Sequence, residues 1–165
     1  MKKLMFLGLA ALGLALASSA PAQAASQSAK LPASYQGVWY GYVGKVKQHG
    51  KSYYEVDKMT ITNSRLTVAD MFTANQNLTH QKWQYSLVVP LVITKKVNQK
   101  GHERYILRAN AVKFDSSALP TLRKKQVKVS GKKTTALWLR AEGDNTYAFR
   151  QPLRTHSWGP DSYFN

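Results

Sequence analysis

The chain has no cysteine. That excludes disulfides and thiolate metal sites, and it excludes a lipid anchor carried by a cysteine behind a cleaved leader. Acidic residues are scarce: 8 Asp and Glu stand against 24 Lys and Arg, for a formal net charge of +16. Histidine is confined to His49, His80, His102 and His156, mostly in turn-rich or terminal stretches, without the i, i+4 spacing of a helical metal site. Ser116 and Ser117 have no Gly-x-Ser-x-Gly elbow around them. Glu55 and Asp57 are the carboxylates set two apart on a predicted strand, so they share a face. Such a pair can act as acid and base or bind a cation, although exposed carboxylates facing lysines are the commoner arrangement. No catalytic or cofactor motif stands out, and the expectation is a protein that is not an enzyme and carries no cofactor or metal.

Past the N-terminus no segment has the length and apolarity to cross a bilayer. The N-terminus itself reads Met1-Lys2-Lys3, an apolar run from Leu4 to Ala17, then small residues ending in Ala22-Gln23-Ala24. This is the pattern of a secretory signal peptide over residues 1–24, too short in its apolar core for a membrane anchor. Residues 25–35 read as a flexible lead-in and 36–165 as a single domain with an aromatic C-terminal tail holding Trp158, Tyr163 and Phe164. An exported chain without cysteine points to a bacterium without a disulfide-dependent periplasm, and to a protein released or held non-covalently at the envelope. Its positive potential attracts polyanions. For an exported protein these are anionic cell-wall polymer or an anionic membrane surface, with nucleic acid bound only by nonspecific electrostatics.

The rest of the chain alternates. Trp83, Tyr85, Leu87, Val89, Leu91 and Ile93 occupy every second position, the period of a strand facing a core, while Pro90 marks an edge, a bulge or a break. Turn signals at His49-Gly50, Asn63-Ser64, Gly101, Gly131 and Gly143 separate predicted strands near 36–47, 52–62, 65–72, 83–94, 102–113, 126–130, 134–141 and 146–151. An all-β, antiparallel up-and-down meander follows. In "YYEVDKMTIT" the pairs Tyr54/Val56 and Met59/Ile61 differ in parity, which predicts a bulge near Asp57-Lys58. The polar connections 73–82 and 115–126 have room for a helical turn each.

The opening "YQGVWYGYV", Tyr35 to Val43, places aromatics on both faces of its strand. Gly37-Val38-Trp39 resembles the Gly-x-Trp on the first strand of lipocalin and other calycin barrels. The mature length and this opening are similar to the small secreted lipocalin-like proteins of lactic-acid-type bacteria. The resemblance implies a single barrel of about eight strands and a basic residue, Arg150 or Arg140, packed across Trp39. It also implies a cavity for a small apolar ligand, lined by Trp39, Tyr54, Tyr85, Leu87, Tyr105, Leu107, Tyr147 and Phe149, unless these side chains simply fill the interior. The second family motif and a C-terminal helix are not evident in the sequence. Two small SH3-like barrels are the alternative architecture; they would favour recognition of wall peptide or polysaccharide by Tyr40, Tyr42 and Trp138.

The basic stretch "RKKQVKVSGKK" holds Arg123, Lys124, Lys125, Lys128, Lys132 and Lys133. If 126–130 is a strand, Lys128 faces away from Val127 and Val129, giving a hairpin anchored on one side and cationic on the other. Such a ridge grips repeated phosphates as point charges, or guards a sheet edge against other chains. Lys95, Lys96, Lys100, Arg104 and Arg108 lie on another predicted hairpin that extends the same surface if the two are adjacent. The functional expectation is a secreted, envelope-associated binder of anionic polymer, with apolar-ligand carriage as the alternative.

Overall fold

The computed structural model describes residues 28–110, 119–141 and 144–154. The expected signal peptide, the end of the aromatic tail and part of the 115–126 connection lie outside the described residues. The strands are β1 (Gly37–Gln48), β2 (Lys51–Ile61), β3 (Arg65–Thr73), β4 (Lys82–Val97), β5 (Glu103–Ala109), β6 (Thr121–Val129), β7 (Lys132–Ala141) and β8 (Asp144–Ala148). They form one 8-stranded sheet in chain order, each strand antiparallel to the next. The architecture is a single up-and-down sheet rather than two small barrels. Its two ends meet at one bridge, where the Tyr40 and Phe149 amides donate to each other's carbonyls at 2.7 and 2.8 Å. The sheet is thus barrel-like without a closing ladder.

Local chemistry sets the turns. His49-Gly50 and Ser130-Gly131 have positive φ at both positions, the type I′ geometry whose twist matches a two-residue hairpin. β4 extends through Pro90 and changes partner there: up to Pro90 it pairs with β3, and from Leu91 onward with β5. The missing Pro N–H falls where the strand hands over, so no ladder bond is lost. In the 73–82 connection, side chains replace a helix: Thr73 Oγ1 donates to the Thr79 carbonyl at 2.6 Å, and Asn75 Oδ1 accepts from the Asn77 amide at 2.8 Å. The strand expected at 126–130 begins at Thr121, because Leu122 is drawn fully into the core.

The main core gathers Trp39, Met59, Ile61, Leu66, Val68, Val89, Ile93, Tyr105, Leu107, Leu122, Leu137 and Leu139 from the sheet, closed by Leu31 and Tyr35 of the lead-in. A second cluster contains Tyr54, Val56 and Leu78, with Tyr40, Tyr42 and Met71 packed on it. This corrects the expected bulge near Asp57-Lys58. β2 pairs with β3 without a register shift, so Tyr54/Val56 and Met59/Ile61 occupy opposite faces, each buried under its own cluster. The irregularity in this region is on β1, between Tyr42 and Gly44.

Candidate anion-binding face

The β6–β7 hairpin is built on the pair Leu122–Leu139, directly opposite one another and fully buried. Alternation then sends their neighbours outward. Arg123 pairs with Trp138, Thr121 with Arg140, Lys125 with Ala136 and Val129 with Lys132 on the outer face. Lys124, Lys128 and Lys133 fall on the other side, in line with Leu122. The single ridge expected from the sequence is therefore divided between two faces, because the strand carries its core-facing parity out past the end of the core. Lys124 is also tied down: its Nζ donates to Ser34 Oγ at 2.9 Å and stands 5.3 Å from the Tyr35 ring centroid.

On the outer face Lys125 Nζ lies 4.4 Å from the centroid of Trp138 and 5.9 Å from that of Tyr147, the cross-strand neighbour of Trp138. Cation–π contact holds this long side chain over a flat platform. β5 joins β6 through Tyr105–Leu122 and Ile106–Thr121. With Tyr105 and Leu107 buried in the core, Arg104 and Arg108 project outward, and Lys96 follows as the β4 partner of Arg104. Lys96, Arg104, Arg108, Arg123, Lys125, Lys132 and Arg140 thus share one side of the sheet from β4 to β7. No carboxylate with a described side chain shares it. Glu103, paired in register with Val97, is on the opposite side, where it pairs with Lys95 and accepts a hydrogen bond from Tyr105 Oη at 3.0 Å. The Lys95 and Tyr105 hydrogen bonds lower the Glu103 pKa, while burial first and then Glu103 push the Tyr105 hydroxyl up to about 12. Lys95 is thereby withdrawn from the basic face, and Lys100 sits exposed in the β4–β5 turn.

The residues named as cavity lining separate into several environments. Trp39, Tyr105 and Leu107 belong to the main core, and Leu87 is half-buried against it. Tyr54 is in the second cluster, on the far side of β2. Tyr85 is 56% exposed, and Tyr147 faces outward with Trp138. Phe149 is buried at the seam beside β1. The interior positions are occupied by mutual packing. Arg150 stacks on Trp39, its Cζ 3.7 Å from the ring centroid, while its Nη1 and Nη2 donate to the Val38 and Ser34 carbonyls at 3.0 Å each. Trp39 Nε1 in turn donates to the Tyr35 carbonyl at 2.7 Å. Gly37 has φ +90, and a Cβ there would come within 3.2 Å of Arg150 Nη1, so the glycine two residues before Trp39 makes room for the guanidinium. Arg140 lies on the outer face instead of on Trp39. The chain matches no family model, no curated protein and no solved structure.

Arg104, Arg108, Lys96 and Arg140 complete a surface whose sequence signal is parity. Arg104, Arg108 and Arg140 each alternate with a buried residue, Lys96 joins them as the β4 register partner of Arg104, and the β5–β6 pairing brings the two hairpins together.

Proposed function

We propose that the protein is an exported, non-enzymatic, envelope-associated binder of anionic cell-wall polymer or an anionic membrane surface, acting through the outer face of β4–β7. One observation carries this reading: the cations named above share a side of the sheet on which no described carboxylate offsets them. Arginine and lysine are mixed, so the face combines forked guanidinium donors with mobile point charges, suited to phosphates spaced along a flexible chain. The leader-like N-terminus supports an extracytoplasmic setting, and among the described residues no helix is long and apolar enough to cross a membrane. The alternative, carriage of an apolar ligand, has less behind it, since the expected lining residues are packed together or turned outward.

Sedimentation with isolated cell walls, with and without their anionic polymer, tests the proposal. Binding is expected at low salt and lost once the Debye length drops to about 3 Å near 1 M salt. Reversing Arg123, Lys125 and Arg140 is expected to weaken it more than reversing Lys124, Lys128 and Lys133. Absence of sedimentation at low salt, or binding indifferent to removal of the polymer, would overturn it.

A further inference from the structure

On the outer face Trp138 is the hub of three cations. Successive register pairs across β6, β7 and β8 set the row Arg123, Trp138, Tyr147, and the row beside it holds Thr121, Arg140 and Asn145. On the other side of Trp138, Lys125 pairs with Ala136. Ala136 is fully buried and offers only a methyl group, so the Lys125 stem can lie across it, with its Nζ 4.4 Å from the Trp138 centroid and 5.9 Å from that of Tyr147. One indole therefore has a cation across the ladder, a second along its own strand and a third folded over it. The neutral pair Val127 and Thr134 forms the following row and separates these three from Lys132. The cluster is a discrete place within the wider basic face.

Other basic side chains of the molecule have structural partners. Lys124 donates to Ser34 Oγ, Arg150 donates to the Val38 and Ser34 carbonyls, and Lys95 pairs with Glu103 on the opposite side of the sheet. Among the described residues the side chains of Arg123, Lys125 and Arg140 donate no hydrogen bond and join no ion pair. Arg123 and Lys125 are nevertheless half-buried, and a guanidinium partly withdrawn from water keeps its forked donors for an acceptor. The carboxylates that could have answered them are far off in the fold: Asp57 and Asp70 point inward in the other half, where burial first, then Asp70 and Glu55, push the Asp57 carboxyl up to about 8. Three like charges around one ring repel one another, and a compact dianion relieves that repulsion more than a single charge does. Forked guanidinium donors match pairs of phosphate oxygens, and the ammonium adds a point charge. A phosphodiester brings one negative charge; a phosphomonoester brings nearly two at neutral pH.

We propose that Arg123, Lys125 and Arg140 around Trp138 form a site for a phosphomonoester dianion, with Trp138 as the positioning residue that holds the Lys125 ammonium. The site rests on the polyanion reading for its choice of face and adds to it a terminal phosphate in place of the repeated diester. Phosphorus NMR titration of the full chain with methyl phosphate and with dimethyl phosphate tests it, at about pH 8, above the monoester's second pKa of about 6. Saturable binding of methyl phosphate is expected, tighter than that of dimethyl phosphate by about tenfold, the worth of one further charge-assisted hydrogen bond. Arg123→Gln and Lys125→Gln are each expected to weaken it about tenfold, and Lys128→Gln, on the other face, to leave it unchanged. Trp138→Leu removes no charge, yet it is expected to weaken methyl phosphate binding several-fold, while Trp138→Phe keeps a ring under Lys125 and most of the affinity; melting curves check that both variants are folded. Phosphatidylcholine vesicles with and without phosphatidic acid separate the sources of the ester. Binding of methyl phosphate and of phosphatidate vesicles supports a lipid headgroup, and binding of methyl phosphate alone supports a soluble or polymer-end phosphate. Equal affinity for the two esters, no saturable shift with methyl phosphate, or unchanged affinity in folded Trp138→Leu would overturn the site, and cell-wall sedimentation that persists in those cases leaves the wider polyanion reading standing. Ester binding without sedimentation would overturn that wider reading alone.

Discussion

In β2 and β3 the face turned away from the main core is itself covered, by Leu78 and the tyrosines of β1; in β5, β6 and β7 the corresponding face is open and carries arginine and lysine. The same strand alternation serves both halves, but in the first it separates two apolar clusters and in the second it separates core from charge. Carboxylates follow the inverse rule. Those of β2 and β3 point inward over the core, away from the basic surface of the other half. A sheet covered on both sides can place acidic groups in low dielectric, whereas one covered on a single side leaves its cations in water, where they cost little to keep ionised.

The largest expected effect comes from attacking what both halves share. Trp39→Ala is expected to cost about 3–5 kcal/mol, the usual range for deleting a buried aromatic, as read by denaturant unfolding; Leu78→Ala, confined to the second cluster, is expected to cost about 2 kcal/mol. Equal costs would mean that the outer cluster is no mere satellite.

The halves also differ in their response to pH. Asp57 has its pKa raised, so the folded state binds more protons than the unfolded state between the ordinary Asp value of 3.8 and about 8. Its stabilising contribution is complete below that window and is lost as pH rises through it, by up to about 1.4 kcal/mol for each pH unit. Melting temperatures measured from pH 5 to pH 8 are expected to fall, and Asp57→Asn is expected to flatten the decline. A profile unchanged by that substitution would place the pH response elsewhere. The smallest effect belongs to the basic half. Lys125→Ala forfeits a half-buried surface cation–π contact, expected to be worth about 1 kcal/mol, while its effect on polyanion sedimentation is expected to exceed its effect on stability.

Much of this was legible in the sequence, because period-2 alternation and turn chemistry are local. The expected strands all occur, and Leu87, Val89, Leu91 and Ile93 face inward as their spacing requires. Trp83 and Tyr85 continue the alternation on paper and fail for two different reasons. An extra residue between them shifts the register at Asp70/Met71, and β4 at that point has passed beyond the core. The phase change in β2 was a true signal of a second apolar cluster, but its cause is a long-range contact with Leu78. The grouping of Arg104 with Arg123 depends on β5 lying beside β6, and no spacing within either segment encodes that.

The single bridge between β1 and β8 has a kinetic consequence. Every ladder in the sheet joins consecutive strands, so its loop-closure entropy is modest and its contacts can form early. Tyr40–Phe149 and the Arg150 contacts with Val38 and Ser34, 112 and 116 residues apart in the chain, span the greatest separation among the contacts outside those ladders, beyond the Lys124–Ser34 hydrogen bond and the Ser28–Thr94 bridge. Their formation waits for nearly the whole chain to be in place, and it draws the sheet's first strand to its last through one pair of amides and one guanidinium. The seam is therefore expected to close last during folding and to open first.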